Sequence, residues 1–192
     1  MLLLTCTGAN TASVAKVYSY FSIGGTTLQE IEAELKRRGP KLNGTGNRHP
    51  GATRMEFTTR VTYGEQNGRC SVVAADVSVK ATMILPRWTR PQRSDNETRL
   101  IWDTLASDIK RHEEAHVTIA RNHARDMEQA LLQIRNERGC TAAQDKVNAT
   151  SSRQLAAHDQ EQDQFDRVES KGFDRRINSL LRYRLERLEN GQ

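Results

Sequence analysis

Apolar residues recur with two different periods along the chain, and each period marks a different kind of element. Residues Val14 to Ile23 (VAKVYSYFSI) alternate and are rich in β-branched and aromatic side chains, which predicts a first strand ended by Gly24-Gly25. Thr26 or Thr27 then stands where an N-cap belongs, ahead of Leu28, Ile31 and Leu35 at helical spacing, and Gly39-Pro40 closes this short helix. Lys41 to Ala52 (KLNGTGNRHPGA) is rich in Gly, Asn and Pro and reads as a loop. Period-two patterning returns at Met55, Phe57, Val61 and Tyr63, and again at Val73, Ala75, Val77, Val79, Ala81 and Met83. Between them Gly64-Glu65-Gln66-Asn67-Gly68 supplies turn chemistry, so the two segments predict a hairpin. Leu85-Pro86-Arg87-Trp88 and Pro91 are expected to take the chain off the sheet.

From about Asp95 the period becomes 3.6, with Ser94 or Asp95 available as N-cap. The stripe Ile101, Leu105, Ile109, His112, His116, Ile119, His123, Met127, Ala130 and Ile134 predicts one long helix reaching Arg138, with Gly139 as its stop. From Thr141 onward the chain is polar and reads as helix in two pieces with Gly172 between them. The pattern as a whole predicts an α+β fold: a small antiparallel sheet packed on the long helix, with additional C-terminal helices closing the other side.

Length and composition narrow this picture only modestly. A chain of 192 residues fits one domain, or one domain with an appendage, and with 5% aromatic residues its core must rely on Leu, Ile, Val, Ala and Met. The net charge of +5 would suit an acidic partner, but the 29 basic and 24 acidic residues are interspersed, so no nucleic acid is expected. No run approaches the roughly 18–20 apolar residues of a membrane span. Met1-Leu2-Leu3-Leu4-Thr5-Cys6 reads like the end of a signal peptide, making 1–13 the remnant of one, and loosely resembles a lipoprotein box at Cys6. The final stretch, 173–192, has five Arg against three acids and reads as a basic helical tail. Cys6, Cys70 and Cys140 show no metal-ligand spacing; Cys70 and Cys140 are read either as one bridge or as two unrelated buried thiols.

The chemistry lies in His112-Glu113-Glu114-Ala115-His116. Histidines four apart on a helix point the same way about 6 Å apart along the axis, so one divalent ion can accept a nitrogen from each. Glu113 is rotated about 100° from His112. There it can act as general base towards a water that zinc has acidified to a pKa of about 7. A catalytic zinc takes three protein ligands. His123 lies about 10.5 Å beyond His116 along the helix, too far to be the third unless the helix ends between them, and is read as a core residue or one that supports the ligands from behind. The later candidates are His158, Asp163, Asp166 and Glu169.

These residues, in this order, resemble a family of bacterial proteins of uncharacterised function predicted to be secreted zinc-dependent proteases. Gly39-Pro40, the strand after Cys70, Leu85-Pro86-Arg87-Trp88, Trp102, the HExxH pentad and Cys140 carry the resemblance, from roughly Tyr18 to Gly172. It implies export to the periplasm or medium, a Cys70–Cys140 disulfide, and a zincin-like metallopeptidase domain over 14–172. The family pattern continues with Tyr-Asp-x-x-Thr-x-His-Gly, whose His is the natural third ligand. Here the stretch is Phe165-Asp166-Arg167-Val168-Glu169-Ser170-Lys171-Gly172, with Phe for Tyr, Glu for Thr and Lys for His. Asp166, or alternatively Glu169, is then expected to complete the site. The expected function is hydrolysis of a peptide or protein substrate by zinc on His112 and His116 with Glu113 as base. Two alternatives stand beside it: an envelope binding protein that has lost activity, and a zinc amidase acting on cell-wall amides.

Overall fold

The computed structural model describes residues 12–41 and 48–190. The signal-peptide and lipoprotein readings, Cys6 included, lie outside the described residues. The elements run β1 (Ser13–Ile23), α1 (Leu28–Arg38), β2 (Ala52–Gln66), β3 (Arg69–Trp88), α2 (Asn96–Leu132), β4 (Glu137–Arg138) and α3 (Cys140–Glu189), with a 3-10 turn at Pro91–Arg93. The fold is α+β, as the periodicity predicts. Its four-stranded sheet has the order β1-β3-β2, with β4 paired to β3.

The sheet is mixed. β2 and β3 form a hairpin whose two linking residues, Asn67 (φ 51°) and Gly68 (φ 70°), both take the left-handed conformation of a type I′ turn. At the other edge, the Ile23 carbonyl accepts from the Thr89 N–H at 3.0 Å, bringing the C-terminal ends of β1 and β3 together. β3 runs through Leu85-Pro86-Arg87 to Trp88 instead of leaving the sheet at Leu85. Its phase also shifts: Cys70 and Val72 are buried, Val73 is 58% exposed, and burial resumes at Ala75, Val77 and Val79. One extra residue in the strand, a bulge, produces such a change of parity.

The chain divides into two compact units. One contains Glu56–Lys80 and Ala120–Asp159. Here the disulfide predicted through the family resemblance is present, joining Cys70 at the start of β3 to Cys140 at the start of α3. Beside it β4 pairs with β3 through Arg69↔Arg138 and Cys70↔Glu137. α2 stops at Leu132, short of Arg138, because the chain turns at Asn136 (φ 59°), whose N–H donates to Ser71 Oγ at 2.9 Å.

The other unit contains Lys16–Met55, Ala81–Ile119 and Gln160–Gln192. Its core gathers Ile23, Ile31, Leu35, Trp88 and Trp102, with Phe21, Leu105 and Ala106 packed against them. Thr27 and Glu30 form a capping box at the start of α1. Asp95 caps α2, its carboxylate accepting from the Thr98 N–H at 2.6 Å. Gly39 is needed for a close approach, since a Cβ there would lie 2.1 Å from the His49 carbonyl oxygen.

α3 is one helix and passes through Gly172 without a break. A lone glycine costs about 1 kcal/mol in a helix. Arg176, beyond Gly172, donates to the carbonyl of Glu169, before it, at 3.3 Å, and so links the two sides of the glycine.

The disulfide closes a sequence separation of 70 residues. Replacing both cysteines by Ser should lower the unfolding free energy by about 4 kcal/mol through the entropy of the released loop. Urea titration of oxidised wild type beside the double variant measures it, and equal midpoints would show that the bridge contributes nothing.

Candidate metal centre

The pentad lies in the uninterrupted middle of α2. The face of α2 buried in this unit runs through Trp102, Ile109, Glu113 and Val117. Glu113, and not the histidine pair, therefore occupies the inward stripe. The periodicity placed both histidines there, but they stand on its flank with side chains 26% and 12% exposed.

From that flank the two Nε2 atoms lie 3.1 Å apart. Asp166, on α3, brings Oδ1 to 3.2 Å from His112 Nε2 and 3.1 Å from His116 Nε2. Ligand bonds of about 2.0–2.1 Å at the tetrahedral angle would separate their donor atoms by roughly 3.3–3.4 Å. Three nearly equal edges of close to that length describe one face of a coordination tetrahedron. His112, His116 and Asp166 are thus a group that can hold a metal ion.

Residues behind the rings prepare the donors. Gln162, one turn before Asp166 on α3, donates from Nε2 to the His116 carbonyl at 3.1 Å, which turns its Oε1 towards His116 Nδ1. A carbonyl oxygen only accepts, so Nδ1 carries the proton and, in the neutral ring, Nε2 offers its lone pair to the triangle. Behind the other ring, Glu169 Oε2 lies 3.6 Å from His112 Nδ1. Asp166 and Glu169, alternatives in the sequence, are separated by the geometry: Asp166 joins the triangle and Glu169 stands behind His112.

The electrostatics agree with this division. Burial raises the Asp166 pKa, but hydrogen bonds from both imidazoles outweigh it and hold the carboxyl well below its usual range. Burial lowers the His116 pKa, and here Asp166 and Gln162 prevail and raise it. Glu113 moves the other way from Asp166. Burial pushes its carboxyl up, against the Thr53 hydrogen bond and the charges of His116 and His112.

Glu113 is fixed by the entry into β2. The Thr53 hydroxyl bonds its Oε2 at 2.8 Å, and a Cβ on Gly51 would come within 2.8 Å of its Oε1 and of Ile109 Cγ2. Phe165 covers the imidazoles, stacked on His112 at 5.0 Å and edge-on to His116 at 5.1 Å.

The remaining candidates go elsewhere. His158 is buried in the first unit with its edge on Phe57 at 5.0 Å and its Nδ1 2.9 Å from Asp159, and its ring lies 5.6 Å from that of His123. Asp163 and Lys171 are exposed. Gly51, Thr53 and Gln162 were not singled out by the sequence. The first two sit in a stretch without helical spacing, whereas Gln162, Asp166 and Glu169 follow a helical period that could have revealed Gln162.

A family model described as a bacterial protein of unknown function, DUF922, matches residues 18–172. The chain belongs to the DUF922 family. No curated protein and no solved structure matches it. The matched range of this DUF922 chain includes all three donors, Glu113 and both bridged cysteines.

Purified protein should bind one divalent ion per chain, measured by elemental mass spectrometry, and His112→Ala/His116→Ala should lose it. Acidification should release the ion, because protons compete for the imidazoles it needs neutral. Folded wild type that stays metal-free when supplied with zinc would refute the site.

Proposed function

We propose that this DUF922 protein is an exported zinc-dependent hydrolase acting on peptide bonds. The observation that carries the reading is the triangle of two Nε2 atoms and one carboxylate oxygen, with a second, proton-avid carboxylate beside it on the same turn of α2. Zinc suits two imidazoles and one carboxylate, and such a three-donor set leaves a position open for water or substrate. Bound there, it would supply a Lewis acid that brings the pKa of water near neutrality and polarises a carbonyl.

The chain's own residues do the rest. Glu113 is the group that takes a proton from the attacking water and returns it to the leaving nitrogen. Burial is the largest influence on its carboxyl and favours taking up a proton. Thr53 and Gly51 hold it in one orientation, and the stacked ring of Phe165 limits access of water around His112. The Cys70–Cys140 bridge supports export, since such bonds persist in oxidising compartments.

Phe165 favours one competing reading. It lacks the hydroxyl with which the Tyr of the resembled family could steady a developing oxyanion, which suits an envelope protein that holds metal and binds a partner without turning it over.

Glu113→Gln should reduce hydrolysis by about 10²–10⁴-fold while keeping zinc, scored on a denatured protein, a peptide panel and cell-wall fragments in parallel. Turnover of wall fragments alone would replace the peptidase with an amidase. Zinc-loaded wild type no more active than Glu113→Gln on all three would leave the binding protein. Gly51→Ala, whose new methyl meets the Glu113 carboxylate, should lower turnover at unchanged zinc content.

A further inference from the structure

One turn before His112 on α2, Asp108 is nearly sealed from solvent, its side chain 3% exposed. It touches neither histidine. Its carboxylate accepts from Arg111 Nε at 2.9 Å and, in a two-pronged pair, from Arg176 Nε at 2.9 Å and Nη2 at 3.1 Å. Both guanidinium groups then turn to one target on α3. Arg111 Nη2 bonds Glu169 Oε2, Arg176 Nη2 lies 3.4 Å from the same oxygen, and Arg176 Nη1 donates to the Glu169 carbonyl at 3.3 Å. That oxygen is the one that lies 3.6 Å from His112 Nδ1.

The two carboxylates and two guanidiniums balance in charge, so the cluster needs nothing from His112 to be neutral. It does decide where Glu169 can be. A glutamate on an exposed helix face samples several rotamers, whereas one held at its carboxylate and at its own carbonyl keeps a single position. Partners behind a ligating histidine fix its tautomer and ring angle, and losing them typically costs about 10–100-fold in metal affinity.

We propose that Asp108 is a positioning residue for the metal centre. Through Arg111 and Arg176 it holds Glu169 behind His112 Nδ1, so that His112 Nε2 stays aimed at the point it shares with His116 and Asp166. The proposal rests on the reading that these three residues hold zinc. A bare ion-pair brace between α2 and α3 would also use Asp108 and Arg176, but it would have no reason to end on the carboxylate that faces a donor ring.

The test uses the full-length protein, with zinc affinity from competition against a chromophoric chelator, the visible spectrum of the cobalt-substituted form, and a thermal melt. Glu169→Gln should weaken zinc binding by about 10–100-fold and alter the cobalt bands. Asp108→Asn and Arg176→Gln should do the same in direction and order. The double variant Asp108→Asn/Glu169→Gln should bind no more weakly than Glu169→Gln, because Asp108 acts through Glu169. Should Asp108→Asn fail to fold, Arg176→Gln on the more accessible partner gives the same reading. Lowered melting temperatures with wild-type zinc affinity and cobalt spectrum would reduce the cluster to a brace, as would losses that multiply in the double variant. Wild type that binds no metal, or keeps it after His112→Ala, would overturn the metal reading itself and this proposal with it.

Discussion

Two imidazole nitrogens and a carboxylate oxygen within 3.2 Å of one another make an expensive arrangement unless something positive sits between them. Each offers a lone pair to the same small volume, and one of them carries a full charge. The two imidazoles outweigh burial at Asp166 and hold its carboxyl well below the usual range, so the charged form is the favoured one there. Much of this unit can be understood as keeping those atoms from drifting apart. Gln162 clips His116 to α3, Arg176 reaches across to Asp108 on α2, and Phe165 is wedged over both rings. The anchors flank the triangle formed by His112, His116 and Asp166.

The same packing gives two nearby carboxylates opposite character. Asp166 is half exposed and bonded by two rings, which favours its charged form. Glu113 is almost fully buried against Gly51 and Ile109, which favours its protonated form, with Thr53 limiting how far the balance tips. An anion that stays ionised beside one that holds its proton more tightly would suit the ligand and the base of the proposed hydrolase. The contrast arises from opposite exposures on two helices.

Periodicity made the strands, α1 and the long helix readable, because each buries one face and the alternation records it. It misplaced the end of α2, since the turn at Asn136 depends on a hydrogen bond to Ser71, a residue far back in the chain. It also divided α3 at Gly172, where a lone glycine is a weak local signal and the helix continues through it. The histidine pair and Glu113 were legible because their spacing is local. The choice between Asp166 and Glu169 was not, since both lie on the same stretch of α3 and only the rotation of that helix against α2 determines which reaches the nitrogens. Gly51 and Thr53 escaped notice for the same reason: nothing in their own neighbourhood connects them to a glutamate on α2.

The donors are also distributed in time. His112 and His116 emerge together on α2, while Asp166 belongs to a helix made only after the β4 turn. A growing chain therefore presents two nitrogens long before it presents the oxygen, and two imidazoles alone grip a divalent ion far less firmly than three donors. The third donor therefore joins the other two only when α3 has packed against α2, so the complete triangle is a product of tertiary folding and not of either helix alone.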